Sequence, residues 1–395
     1  MDQFNKTGEV AAAPAGFFPR SRIAVSGLFL VNGYMVGSWA PKIPVFADRL
    51  QLSEAALGLM ILLFGVGSLL MMPVAGAQIA RYGSSVVVKI TGALLMPMLL
   101  LVTLADNIWM GAVAMALFGG FTGAMDVAMN ANAVEVEKSV RRAIMSSCHA
   151  FWSLGGLIGA ASGGYLLATI GPVGHAIVLT AVAYIVLALC WPLVQHDAPH
   201  PEAVKERARL PMTPLPWLLG LIALFSMVPE GAILDWGALY VRDELGASMT
   251  MSGFAFGAFS LTMAIMRFAG DLVRDRFGAV KTLRVCTLTA AVGMLIAGFA
   301  PNAAVATIGF AIAGIGISNM VPIAFSAAGN LPGMAPGIGL SVVTTMGYSG
   351  ILFAPSIIGF ISEYTGFAAI FAALPLLFLV VLALSSLARY ADTIR

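Results

Sequence analysis

FTGAMDVAMNANAVEVEKSVRRAIMSSCHAFWS, residues 121–153, decides how this chain is read. An apolar run stands on each side of a short charged turn, EVEKSVRR at 135–142, and polar residues fall where a buried helix ordinarily carries none. The segment predicts two membrane helices joined by a tight loop. Asp126, Asn130, Asn132, His149, Trp152 and Ser153 lie within about three turns of that loop. An ionisable group in hydrocarbon costs roughly 2.5–3.5 kcal/mol on insertion scales, so it ordinarily faces a water-filled cavity or a partner. The remaining spans then become walls around such a cavity.

Composition points the same way. Hydrophobic residues make up 59% of the 395 and charged residues 10%, with a mean hydropathy of +0.93. A soluble chain carries about 25% charged residues, so this is read as a polytopic membrane protein. Apolar runs predict spans near 23–46, 53–79, 86–105, 108–134, 143–169 and 173–194. A second set follows near 215–241, 252–273, 280–299, 302–328, 337–361 and 366–388. Spanning takes about 20 apolar residues, so twelve helices fit. The expected organisation is a tail at 1–22, a six-helix bundle at 23–194, a polar, proline-bearing linker at 195–214, a second bundle at 215–388 and a tail at 389–395. Residues 1–22 lack the apolar core and cleavage site of a signal peptide, so the first span is expected to act as its own insertion signal. Cys148, Cys190 and Cys286 all fall in apolar runs and imply no disulfide framework.

The net charge of +2 says little, but its distribution says more. With a cytoplasmic N-terminus, 17 of the 21 Lys and Arg residues fall in inside segments. By the positive-inside rule both termini are expected in the cytoplasm. The halves also match each other at an offset of 195. GAQIARYG at 76–83 superposes on DLVRDRFG at 271–278, and FADRLQLSEAALG at 46–58 on VRDELGASMTMSG at 241–253. Gly155, Gly164 and Gly171 fall on Gly350, Gly359 and Gly366. One register over three separated stretches predicts duplication of a six-helix unit, the build of transporters that rock around a midplane site.

These stretches resemble the major facilitator superfamily, whose signature after the second and eighth helices is G-x-x-x-D-R-x-G-R/K. The first copy, from Gly76 to Ser84, has Ala80 where the family has an acid and Ser84 where it has the last basic residue. The second copy keeps Asp275-Arg276-x-Gly278, with Gly270 one residue early. Within that family, MDVAMNANAVEVE, GSWAPKIP and GYSGILFAPSIIGF resemble the bacterial MosC/YbjJ-type permeases. The resemblance implies an all-α membrane protein with twelve transmembrane helices in two pseudo-symmetric six-helix halves. It also implies that the signature loops latch the cytoplasmic gate, with Arg81, Arg267, Asp271, Asp275 and Arg276 as gate residues. The missing acid at Ala80 leaves the N-terminal latch in question. Helix five, Gly155 to Gly164, resembles the antiporter motif G-x-x-x-G-P-x-x-G-G with Ala160 for proline. Close helix packing through small residues is the simpler reading.

Spacing nominates the transport residues. Asp126 and Asn130, four apart, share a face of helix four, as His149, Trp152 and Ser153 share one of helix five. Asn130 and His149 are each about seven residues, or about 10 Å, from the loop. A carboxylate near an imidazole suits proton relay, and a hydrogen-bonded pair tying two helices together is the structural alternative. Asp126, His149 and Glu230 are the candidates for proton coupling. Asn32, Tyr34, Trp39, Asn130, Trp152, Asn319 and Tyr348 are the candidates for binding substrate, since amides, hydroxyls and aromatic faces suit a neutral polyhydroxylated ring. Lys42 is expected to snorkel outward, and Arg267 to pair locally with Asp271 or, alternatively, to meet a carboxylate across the halves.

The expected protein is a secondary active transporter moving a small polar, sugar- or cyclitol-like solute by alternating access with proton coupling. It is placed in the bacterial inner membrane as a multi-pass monomer. Its partners are a small-molecule substrate, protons and membrane lipid. No cofactor, metal or nucleic acid and no enzymatic activity are expected. A drug or metabolite/proton antiporter is the alternative, and a non-transporting membrane sensor a more distant one.

Overall fold

The computed structural model describes residues 19–52, 54–198, 211–247 and 249–392. Among them the chain is helical and contains no strand. Ten segments are long and apolar enough to cross a membrane by length and composition. Helix 145–170 and helix Met249–Phe277 complete twelve. The second of these carries its charged residues, Arg267, Asp271, Arg274, Asp275 and Arg276, in its C-terminal half.

In chain order the spans are span 1 (Arg20–Gly37), span 2 (Glu54–Tyr82) and span 3 (Ser84–Leu95 and Met98–Leu104, broken at Pro97). Span 4 (Ile108–Val140), span 5 (145–170) and span 6 (172–190) finish the first half. The second half holds span 7 (Leu215–Leu239), span 8 (Met249–Phe277), span 9 (Ala279–Gly298) and span 10 (Ala303–Ile317, continued by Met320–Gly329). Span 11 (336–365) and span 12 (367–384) follow, and a 3-10 segment, Ser385–Asp392, ends the described chain. Of the expected tail at 1–22, residues 1–18 lie outside the described residues, as do 199–210 of the expected linker and 393–395 of the expected C-terminal tail.

The sequence duplication has structural counterparts, each pair 195 residues apart. Gly83 and Gly278 take φ of +84° and +81°, a region open to glycine at little cost, and so turn span 2 into span 3 and span 8 into span 9. Asn107 and Asn302 cap spans 4 and 10 with their side-chain oxygens. Asp197 accepts the backbone N–H groups of Ser84 and Ser85 at the start of span 3, and Asp392 accepts that of Ala279 at the start of span 9. A carboxylate there satisfies otherwise orphaned donors and meets the positive end of the helix dipole.

Span 1 lies against span 5 closely enough to need glycine. A Cβ on Gly33 would overlap the Trp152 carbonyl, and one on Gly155 the Leu30 carbonyl. The small-residue run of helix five is thus spent on helix packing, the simpler of its two readings. Leu70, Leu189 and Leu261, each more than 60% exposed, show the apolar outer surface that lipid covers. The three cysteines are free and buried.

Candidate functional site

Span 4 brings Asp126 and Asn130 to the interior on one face, as their four-residue spacing requires. Asp126 is 3% exposed and Asn130 fully buried. The Asn130 amide donates to the Asp126 carbonyl at 2.9 Å and to its Oδ1 at 3.4 Å, while Asn130 Oδ1 lies 3.3 Å from His149 Nε2 on span 5. His149 is held edge-on between Phe29 of span 1 and Phe325 of span 10. One turn further along span 5, the Trp152 indole N–H donates to Asn32 Oδ1 at 2.9 Å. Two hydrogen-bonded pairs, Asn130 with His149 and Asn32 with Trp152, thus lie about one turn apart and tie span 5 to spans 4 and 1.

The second half faces this group with Arg267 of span 8, 6% exposed. Its guanidinium makes three bonds: Nη2 to Glu230 of span 7 at 2.9 Å, Nη1 to Ser153 Oγ of span 5 at 3.0 Å, and Nε to the Ser318 carbonyl of span 10 at 3.4 Å. Tyr348 of span 11 lies against Asp126 and within the field of Glu230 and Arg267. Asp126 Oδ2 is buried without a hydrogen-bond partner. A buried carboxyl oxygen short of a full hydrogen bond is costly to keep, and the Tyr348 hydroxyl is the donor that lies beside Asp126. Chemically, the cluster offers one carboxyl group open to a proton or a donor, an amide–imidazole pair, an indole platform and a charge pair that touches both halves.

Twelve spans put the start of span 1 and the end of span 12 on one face, and on that face the halves are joined by a separate polar network. Glu137, fully buried, accepts the Ile144 and Met145 N–H groups that start span 5, at 2.9 and 3.1 Å. It also takes Arg274 Nη1 at 2.8 Å and the Ser326 hydroxyl at 2.5 Å, both from the second half. Asp271 accepts the Ser146 and Ser147 N–H groups at 2.9 and 3.0 Å, with Arg22 at 3.9 Å, and Asp275 accepts the Ala143 N–H at 3.0 Å. The donors at the start of span 5 are thus shared between a carboxylate of span 4, Glu137, and two of span 8, Asp271 and Asp275. Among the described residues nothing equivalent stands at the related position in the first half. There Gly76 of span 2 meets Gly337 of span 11, with the Gly337 carbonyl and Ser341 Cβ each 2.6 Å from where a Cβ would be.

Several sequence expectations need correction. Arg267 sits in the central cluster and not at the gate, and it pairs with Glu230 and not with Asp271, whose carboxylate is taken by span 5 and Arg22. Arg81 and Arg276 are exposed and lie over the rings of their neighbours Tyr82 and Phe277. Neither forms an ion pair across the halves among the described residues. Trp39 packs edge-on against Phe46 and Phe118, away from the cluster. Tyr34 is buried in the contact between spans 1 and 5. Asn319 turns into its own half, donating to the Met266 carbonyl and to Ser318 Oγ. Lys42 does not snorkel outward: it is 3% exposed and bonded to Thr103 and the Pro172 carbonyl. Asp235 is exposed.

Sequence reasoning missed Glu137, Arg22 and Arg274. The sequence puts Glu137 in the charged turn at 135–142, but span 4 runs on past the expected end near residue 134 to Val140, closing at Arg141 in the left-handed region with φ of +51°. Helical spacing offered a signal, since Glu137 lies two turns from Asn130 on nearly the same face.

The family model described as Major Facilitator Superfamily matches residues 25–240 and 219–393. The chain is 35% identical over 358 residues to an uncharacterized MFS-type transporter of Yersinia pestis, covering 90% of this chain and 92% of the other. It is 32% identical over 353 residues to the membrane protein MosC of Rhizobium meliloti, covering 87% and 84%. Among solved structures, the transporter FucP in its outward conformation superposes with a TM-score of 0.78 at 17% identity, covering 92% of this chain and 97% of that one. The proton:xylose symporter XylE superposes with a TM-score of 0.72 at 13% identity, covering 94% of each. With these matches spanning both halves of a twelve-helix membrane fold, the chain belongs to the major facilitator superfamily, a family of transporters and not of enzymes.

Proposed function

We propose that this protein is a proton-coupled secondary transporter of a small polar, sugar- or cyclitol-like solute, working by alternating access in the bacterial inner membrane with both termini cytoplasmic. The observation that carries the reading is Asp126, buried at the meeting of the halves with Oδ2 unpartnered. In this reading Asp126 holds the coupling proton, and Tyr348 lies beside it to sense its charge. Asn130 passes the state of Asp126 to His149 through their shared hydrogen bond. Asn32 and Trp152 form the amide and indole wall on which a polyhydroxylated ring rests. Arg267, bonded to Glu230 in its own half and Ser153 in the other, couples the cluster to movement of the halves. The network around Glu137 and Asp271 is the closed cytoplasmic gate. The fold is shared with a fucose:proton symporter and a proton:xylose symporter, which supports a sugar-sized solute.

A drug or metabolite/proton antiporter is the competing reading. It draws no support from the helix-five glycines, which serve packing. Purified protein in proteoliposomes separates the two. Imposed inward proton gradients are expected to drive uptake of a polyol found by thermal-shift screening, and Asp126→Asn is expected to abolish gradient-driven accumulation while leaving solute exchange. Accumulation unchanged in Asp126→Asn removes the proton from this residue. Stabilisation by amphiphilic cations only, with proton-driven efflux, establishes the antiporter.

A further inference from the structure

On the face opposite the chain ends, outside the central cluster, a cavity of about 20 Å³ is lined by Trp39, Lys42, Phe46, Arg49, Thr103 and Pro172. About 10–15 Å³ by this measure already admits one water, so the space suits a single small occupant. Lys42 is 3% exposed, and its ammonium has two partners, the Thr103 hydroxyl and the Pro172 carbonyl at 3.1 Å. An ammonium has three donors. The Thr103 hydroxyl spends its own proton on the Leu99 carbonyl at 2.6 Å, and Arg49 donates to the Thr103 carbonyl. Two cations thus converge on one residue. Neither has a carboxylate within ion-pair distance among the described residues.

Behind Lys42 stands His175 of span 6, fully buried, with neither ring nitrogen hydrogen-bonded. Its Nε2 borders Pro41, both lying within reach of a Cβ placed on Gly163, at 3.2 and 2.7 Å. Burying an ammonium without a counter-charge is strongly unfavourable, and hydroxyl and carbonyl dipoles offset it only in part.

We propose that this pocket binds a small inorganic anion of the size of chloride, which completes the pairing of Lys42 and Arg49 and fastens the end of span 1 to spans 3 and 6. A lipid headgroup phosphate is too large for the space. The site lies within the first half and is independent of the transported solute.

The test uses the full chain in an uncharged detergent, with thermal unfolding followed by tryptophan fluorescence while chloride or bromide replaces gluconate at constant ionic strength. The wild type is expected to show a saturable rise in Tm of about 2 °C or more. In Lys42→Met the rise disappears, and in Arg49→Gln it half-saturates at about tenfold higher chloride, the loss of one charge contact. No saturable rise in the wild type overturns the proposal, as does the same rise in Lys42→Met, which is then a general salt effect. Should Lys42→Met fail to fold, bromide located by anomalous scattering in wild-type crystals decides. A peak beside Lys42 Nζ supports the site, and none there refutes it.

Discussion

Glu137→Gln is the substitution expected to disturb the gate with the least change of shape. In the closed arrangement Glu137 Oε1 takes three donors, the Ile144 and Met145 N–H groups and Arg274 Nη1, while Oε2 takes the Ser326 hydroxyl. Glutamine keeps one oxygen for the first set, and the Ser326 hydroxyl can turn to accept from the new amide. What it cannot supply is the negative charge 2.8 Å from Arg274, in a place where both side chains are at most 3% exposed. Breaking a buried pair by removing one charge costs about 3–5 kcal/mol. Here the loss falls on the closed state, because separation of the halves lets water solvate Arg274. At about 1.4 kcal/mol per factor of ten, the closed-to-open ratio should fall between about a hundredfold and a few thousandfold. Spin labels at the exposed positions Lys138 and Arg276, in a chain whose three buried cysteines are replaced, report the separation by double electron–electron resonance. A minor long-distance population in the wild type should become dominant in Glu137→Gln. Asp275→Asn, which weakens one bond to the Ala143 N–H, should shift the ratio by about tenfold or less. A distance distribution unchanged in a folded Glu137→Gln refutes the view that this pair holds the gate.

Two further substitutions probe the frame. Gly33→Leu forces side-chain atoms into the Trp152 backbone and should destabilise the first half by about 3 kcal/mol or more, the upper end of overpacking effects, seen as a lowered Tm with loss of monodisperse protein. Asp392→Ala removes both carboxylate contacts to the Ala279 N–H and should cost about 1 kcal/mol, read as faster hydrogen exchange in the first turn of span 9 with the first turn of span 3 unchanged.

Much of the central site was legible because the membrane makes polar residues conspicuous. Asp126 and Asn130 stood out in an apolar run, and helical spacing placed them on one face toward span 5, where His149 and Trp152 carried the same signature. Partnership was less legible. Arg267 has an acid one turn away at Asp271, and sequence proximity favours that pair, yet Glu230 on another span is the nearer carboxylate in space. Glu137 and Arg22 were hidden differently. Each lies at a helix end, where a charge is ordinarily solvated, and partners distant in sequence, Arg274 and Asp271 of the second half among them, meet it there. Lys42 misled for a related reason: a lysine near a span end usually reaches water, but the turn after Trp39 folds this one between Thr103 and Pro172. Polar groups such as Tyr34 and Asn319, judged by depth alone, gave no sign of which way their helices turn them.

The unequal contacts on the two sides of the closed face have a mechanical consequence. Charge-assisted hydrogen bonds are directional and weaken steeply once their angle departs far from linear, so the Glu137–Arg274–Asp271 side holds one geometry or lets go. The contact of Gly76 with Gly337 is backbone against backbone, held by dispersion that varies gently with rotation. Any parting of the halves therefore meets a bolt on one side and a rolling bearing on the other. Although the fold is built from two copies of one unit, the alternating access proposed above would then have a preferred axis, on the side where Gly76 meets Gly337.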